Sequence, residues 1–325
     1  MQKVPEMSGS GRIDPADGLD PDIRRFVTAV QRSYGQHPGF DALPLTERRR
    51  VAEEVRAPWR AGGPRMWRTV DTAIAGVRSR IHIPVETAAL GAMLYLHGGG
   101  WTMFSIDTHD RLMREYAQRS GAIVVGIDYS LSPEAKFPTA LNEVVAAIEW
   151  LRRQGAAQGI DPLRFAIGGD SAGANLAVAA ALRLRERGEA GLRAMLLNYG
   201  AFSPEPTASF ERYGGPRYML TVEEMKYFWS NYTSDPTELS NPLVAPYRAD
   251  LRGLPPAFLC IAGCDILSDS NRAMAARFAA AQVPCEVHLY AGATHSFLEA
   301  VSIAPLAERA IAEAADWLRD RLAGS

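Results

Sequence analysis

The segment Gly169-Asp170-Ser171-Ala172-Gly173 stands between an apolar run, Phe165-Ala166-Ile167, and a small-residue run, Asn175-Leu176-Ala177-Val178. A strand that turns through Gly-x-Ser-x-Gly into a helix forms a nucleophile elbow, a turn tight enough to push the serine hydroxyl outward. The glycines are needed because side chains on the flanks would collide inside such a turn. The helix beyond begins with free N–H groups and the positive end of its dipole, which suit a developing oxyanion. Taken alone, the same five residues also describe an ordinary turn with a capping serine, so the chemistry must be read from their company.

A serine hydroxyl needs a base to take its proton and a third group to hold that base. Two histidines lie downstream, His288 and His295. His288 falls inside an apolar strand pattern, Cys285 to Tyr290, whereas His295 follows that strand in a glycine-containing loop; His295 is the expected base. Asp265 is the first carboxylate after the apolar strand Ala257 to Ala262 and is the favoured acid. Asp269, one helical turn further on, could take its place.

A third element is His97-Gly98-Gly99-Gly100, directly after the apolar strand Ala92 to Leu96. Consecutive glycines bring backbone N–H groups close to a substrate oxygen with no Cβ in the way, as in oxyanion loops. His97 is expected to orient this loop rather than to carry a proton. The residue after the nucleophile, Ala172, would supply a further N–H.

These groups need a scaffold that gathers several strand ends. Alternation predicts an antiparallel pair over 69–75 and 78–84, then buried strands over 92–97, 122–128, 164–168, 193–199, 257–262 and 285–290. Helical patterns separate them over 109–120, 142–154, 172–188, 271–282 and 305–323. That order predicts an α/β fold with a mostly parallel central sheet flanked by helices and a helical cap. Residues 1–60, with short helices over 21–31 and 45–56 and a polar start to about Gly18, read as an N-terminal cap. Residues 61–325 read as the catalytic domain, interrupted at 203–250 by an aromatic-rich cap or lid insertion with one helix over 221–232.

The composition narrows the rest. With 325 residues, 47% hydrophobic and 22% charged, the chain can bury a sizeable core. A net charge of −2 gives no footprint for nucleic acid. The run Arg48-Arg49-Arg50 reads as a solvated helix face. Three cysteines imply no disulfide framework or zinc site. Asp107-x-His109-Asp110 has metal-like residue types but precedes a helix, so capping is the expectation and no metal or other cofactor is called for. No apolar run reaches membrane-spanning length and the start does not resemble a signal peptide, so stable membrane insertion is not expected and the cytoplasm is the default location.

Together, His97-Gly-Gly-Gly-Trp101, Asp107-Thr-His-Asp110, Asp128-Tyr-Ser-Leu-Ser-Pro-Glu134 with Phe137-Pro138, Gly159-Ile-Asp-Pro162, Gly169-Asp-Ser-Ala-Gly173 and Asp265-Ile-Leu-Ser-Asp269 resemble the hormone-sensitive-lipase-like (bacterial family IV) esterases of the α/β-hydrolase superfamily, over roughly residues 90–300. The resemblance implies Ser171, Asp265 and His295 as a triad. It implies an oxyanion hole of Gly98, Gly99, Gly100 and Ala172, with Gly98 shaping the loop and the other three donating. The substrate would be a small ester of short acyl chain. The chain departs from the family pattern at Ser132, Ile266 and Ser296, and carries bulky Met103 and Phe104 near the mouth. The pocket is expected to involve Trp101, Met103, Phe104, Tyr199, Phe202, Tyr218 and Phe297. Amide, carbamate and lactone hydrolysis by the same site stay open, as does a non-hydrolytic receptor-like role, and a homodimer is compatible with the sequence.

Overall fold

A computed structural model describes residues 17–323 apart from Ala88 and Ala190; the polar stretch 1–16 lies outside the described residues. In chain order the elements are α1 (Pro21–Tyr34), α2 (Leu45–Arg60), β1 (Arg68–Ile74), β2 (Val77–Ile83), β3 (Leu90–Leu96), α3 (Asp110–Ser120), β4 (Ile123–Ile127), α4 (Thr139–Gln154), β5 (Ile160–Asp170), α5 (Ala172–Glu186), β6 (Leu192–Asn198), α6 (Ala208–Tyr213), α7 (Val222–Tyr232), β7 (Ala257–Cys264), α8 (Ser268–Ala280), β8 (Cys285–Thr294) and α9 (Pro305–Leu322). They form the α/β-hydrolase fold. One eight-stranded sheet runs in the order β1-β2-β4-β3-β5-β6-β7-β8. β1 and β2 are antiparallel, β2 meets β4 antiparallel, and every later pairing is parallel.

The parallel strands are apolar on both faces because helices cover both. Along β3, Met93 and Tyr95 pack into a core shared with α1, α2, α3 and α9, while Leu94 and Leu96 pack into the core under α4, α5 and α8. α5 buries twelve of its fifteen residues. Its alanines let it lie close on the sheet, and its buried Asn175 donates from Nδ2 to the carbonyls of Ala201 and Val244 at 2.8 and 2.9 Å. That bond pair pins α5 to the chain leaving β6 and to the segment at Val244.

Two peripheral segments are fastened by their caps. The Asp20 carboxylate accepts from the N–H groups of Asp22 and Ile23 at 2.9 and 3.1 Å, and its own N–H donates to the Gly292 carbonyl at 3.0 Å. α1 is thereby docked beside the end of β8. α7 starts with a capping box, Thr221 and Glu224 satisfying each other's backbone N–H. The helix before β4 is different from the sequence expectation: α3 is capped at His109 with no side-chain bond. Asp107 and Asp110 pair instead with Arg78 and Arg80 from β2, at 2.8–3.1 Å. Two guanidiniums are stronger partners than helix-end amides. Among the described residues no cluster of three or more His, Cys, Asp or Glu could hold a metal ion, and no helix is long and apolar enough to cross a membrane.

Candidate active site

Ser171 sits between β5 and α5 with φ 53° and ψ −116°. That backbone region costs an L-residue energy and persists only when the surroundings enforce it. Here the Ser171 N–H donates to the Asn198 carbonyl at 2.9 Å, and its carbonyl accepts from Ala201 and Asn175 at 3.1 and 3.2 Å. A Cβ at Gly173 would collide with the Leu96 carbonyl oxygen, so only glycine lets α5 start against β3. The elbow is therefore held by β3, β5 and β6 at once.

Asp265 leaves the end of β7 and His295 the end of β8. His295 Nε2 is 3.0 Å from Ser171 Oγ, and its Nδ1 is 2.8 Å from Asp265 Oδ2. An ionised carboxylate only accepts, so Nδ1 carries the proton and Nε2 offers its lone pair to the hydroxyl. Asp265 Oδ1 accepts from the Leu267 N–H at 3.0 Å, which fixes the carboxylate plane. Burial favours neutral His295, but the charge and hydrogen bond of Asp265 together outweigh it and hold the imidazole above its ordinary value of 6.5. The arrangement is that of a base able to take a proton from Ser171 and keep it beside a carboxylate.

The rival residues go elsewhere. Asp269 accepts from the Ser209 N–H at 2.9 Å and ties α8 to α6. His288 pairs with Glu286 and Glu313 at 2.8 and 3.0 Å on the outer strand.

The glycine loop divides. Gly99 and Gly100 have φ of 106° and 59° and both line the cavity above Ser171. Gly98 does not line it; its N–H is directed at His109 Nε2, 3.3 Å away, and a Cβ there would strike the Asp170 carboxylate. Of the four residues expected at an oxyanion hole, Gly98 thus turns its amide away from the cavity. Ala172 opens α5, where helix geometry leaves its N–H without an intrahelical acceptor. His97 is buried, stacked at 4.3 Å on Tyr129, and its Nδ1 lies 2.7 Å from the Gly98 carbonyl. Burial above all, with His109 nearby, pushes its pKa down to about 4, so it is a neutral prop.

Beneath the elbow lies a polar layer that the sequence reading missed. Asp170, the variable residue of Gly-x-Ser-x-Gly, is buried; the Tyr95 hydroxyl donates to its Oδ1 at 2.9 Å and His109 Nε2 lies 3.3 Å from it. Burial opposes its charge, but His109 beside it holds its carboxyl below the usual value, and Asp170 in turn raises His109. Nothing in the motif marks that position, since the second residue is free in the pattern. Further out, Arg56 from α2 and Glu299 after the His295 loop form an ion pair at 3.0 Å, with side chains only 6% and 12% exposed.

The cavity holds about 720 Å³ and its lining reaches Ser171 and His295. Met103 and Phe104 line it as expected; Trp101, Tyr199, Phe202 and Phe297 do not, each being buried at 1% exposure or less. Trp101 stacks on Tyr232 at 4.2 Å and props the glycine loop against α7. Tyr199 packs edge-on against His295, and Phe297 packs against Tyr199 and Tyr290. Phe202 packs over Gly200, where a Cβ would meet its ring. Tyr218 faces a neighbouring depression with Gln31, Arg212 and Arg217. Trp101, Tyr199, Phe202 and Phe297 are props under the cavity and Tyr218 belongs to the depression beside it. The walls come instead from Tyr34, Phe40, Arg48 and Arg56 on one side and Met219, Leu220, Tyr227 and Phe228 on the other. The only signals for them were the amphipathic pattern of the first two helices and the aromatic richness of 203–250.

Known proteins share the fold over most of the chain. A family model described as the alpha/beta hydrolase fold matches residues 93–299. Over 93% of this chain and 98% of its own, a hyperthermophilic esterase from the archaeon Pyrobaculum calidifontis is 32% identical with a TM-score of 0.88. A thermophilic, thermostable carboxylesterase from a metagenomic library is 34% identical over 87% of this chain and 99% of its own, with a TM-score of 0.84. A thermostable esterase from Pseudomonas putida ECU1011 is 30% identical over 96% of this chain and all of its own, with a TM-score of 0.85.

Proposed function

Because this chain belongs to the α/β-hydrolase fold family, in its hormone-sensitive-lipase-like branch, we propose that it is a carboxylic ester hydrolase working through an acyl-enzyme on Ser171. The observation that carries the reading is the unbroken file Asp265–His295–Ser171, with links of 2.8 and 3.0 Å. Ser171 Oγ attacks the ester carbonyl carbon as His295 Nε2 takes its proton. The imidazolium so formed is steadied by Asp265. The tetrahedral oxygen is received by the N–H groups of Gly99, Gly100 and Ala172. The C–O bond to the alcohol then breaks, the alcohol leaving with the proton held on His295. Water, deprotonated by the same Nε2, attacks the acyl carbon, and the acid is released with Ser171 restored. Each step uses only this chain's residues, the ester and water.

Short acyl chains are the substrates this reading favours. Phe228 lies against Gly100 so closely that a Cβ there would overlap its ring. Arg48, Arg56, Glu223 and Glu224 set charged groups along the same space, and an alkyl chain laid against them would take their water without replacing it. The segments 21–60 and 203–250 act in this account as the cap that shapes the cavity. A series of 4-nitrophenyl esters from acetate to palmitate, run on wild type and Ser171→Ala, tests it. Turnover should peak at the short members and vanish in the variant. A peak at palmitate would overturn the chain-length reading, and Ser171-independent turnover would overturn the mechanism.

A further inference from the structure

One wall of the cavity is a continuous file of rings and cations. Arg56 Cζ lies 5.1 Å from the centre of the Phe104 ring and 5.9 Å from that of Tyr34. Tyr34 meets Phe40 at 4.9 Å, and Arg48 Cζ stands 5.3 Å from Phe40 and 5.0 Å from Tyr227. Guanidiniums stacked on rings have their faces used, so what they can still offer is the N–H edge. Arg48 Nε and Arg56 Nη1 are buried and have no hydrogen-bond partner. A buried donor without an acceptor is a standing cost, so a turn of the guanidinium toward an anion in the cavity forfeits no existing hydrogen bond there.

The charges on this wall select the ligand. Glu299 neutralises Arg56, whereas Arg48 forms no ion pair among the described residues. Asp41, Glu223 and Glu224 also line the cavity, but all three are exposed, where water screens them, and the Glu224 carboxylate is held by Thr221 at 2.8–2.9 Å. His295, at the floor, and the phenols of Tyr34 and Tyr227 are the remaining titratable groups. The inner wall therefore carries a surplus near a single positive charge, which a monoanion matches. Resting on the ester-hydrolase reading, we propose that this wall is a carboxylate subsite: the preferred esters carry a free carboxylate that pairs with the Arg48 guanidinium while the ester carbonyl lies over Ser171.

Two matched substrate pairs test the proposal, one for each side of the ester. They are 4-nitrophenyl hydrogen adipate against its terminal carboxamide, and 4-acetoxybenzoate against 4-acetoxybenzamide. The ratio of kcat/KM within a pair, measured on one preparation near neutral pH, does not depend on the fraction of active enzyme. In at least one pair the acid should be favoured about tenfold or more, the gain residing mainly in KM. Added sodium chloride should erode that preference, and Arg48→Gln should bring it to within about twofold of parity. Turnover of the neutral members with no preference in either pair overturns this subsite and leaves the esterase reading intact. A preference that survives Arg48→Gln undiminished also overturns it. Turnover of no member of either pair overturns both.

Discussion

The floor and the walls of the cavity are built by different means. Floor groups (Gly99, Gly100, Ser171, His295) sit at the ends of parallel strands, and their positions follow from backbone geometry fixed by the sheet and by glycine. The walls are side chains from α1 and α2 on one side and from 219–228 on the other. They are held by caps, ring stacking and one buried ion pair. A strand end can be displaced only by disturbing the whole sheet, whereas a wall side chain can be exchanged locally. The chemistry is thus built into the shared scaffold, and selectivity is left to the parts that can vary without loss of the fold.

That contrast can be broken from either side. On the floor, Asp265→Asn would keep the packing but favour the wrong imidazole tautomer. It should lower kcat on a short ester by about 10⁴-fold with the far-ultraviolet circular dichroism unchanged; a loss below tenfold would remove Asp265 from the mechanism. Gly99→Ala should cost about 10²–10³-fold in kcat, because φ of 106° is closed to alanine and a Cβ would strike the Met103 carbonyl. A kcat within threefold of wild type would mean that this amide serves no oxyanion. In the walls, Arg56→Met leaves Glu299 buried without its cation. Urea titration should show a loss of about 3 kcal/mol. Stability within about 0.5 kcal/mol of wild type would show that the pair does not fasten α2.

The same division explains what the sequence made legible. The sheet could be read because each buried strand is a short apolar run bounded by turns, and the meeting of Ser171, His295 and Asp265 because each lies just after such a run. Asp170 could not be read, since its partners Tyr95 and His109 come from β3 and the start of α3 and meet only in the fold. Arg48 looked like part of a solvated basic run, yet it lies between Phe40 and Tyr227, which no local pattern around it announces. α6 went unseen because six residues with one buried side chain leave no periodicity to detect. Trp101 and Tyr199 show the converse error, residues close to the chemistry in sequence that serve as props. Proximity along the chain finds the residues that gather at the strand ends and misses those that line the cavity from the caps.

Covalent trapping shows whether Ser171 is the nucleophile. A fluorophosphonate should phosphonylate the protein, Ser171 Oγ forming the P–O bond as fluoride departs. Peptide mass spectrometry should find one adduct per chain, on the peptide carrying Gly169-Asp170-Ser171-Ala172-Gly173, with esterase activity lost in step. Full activity after treatment, or stoichiometric modification at another residue with Ser171 untouched, would contradict the account.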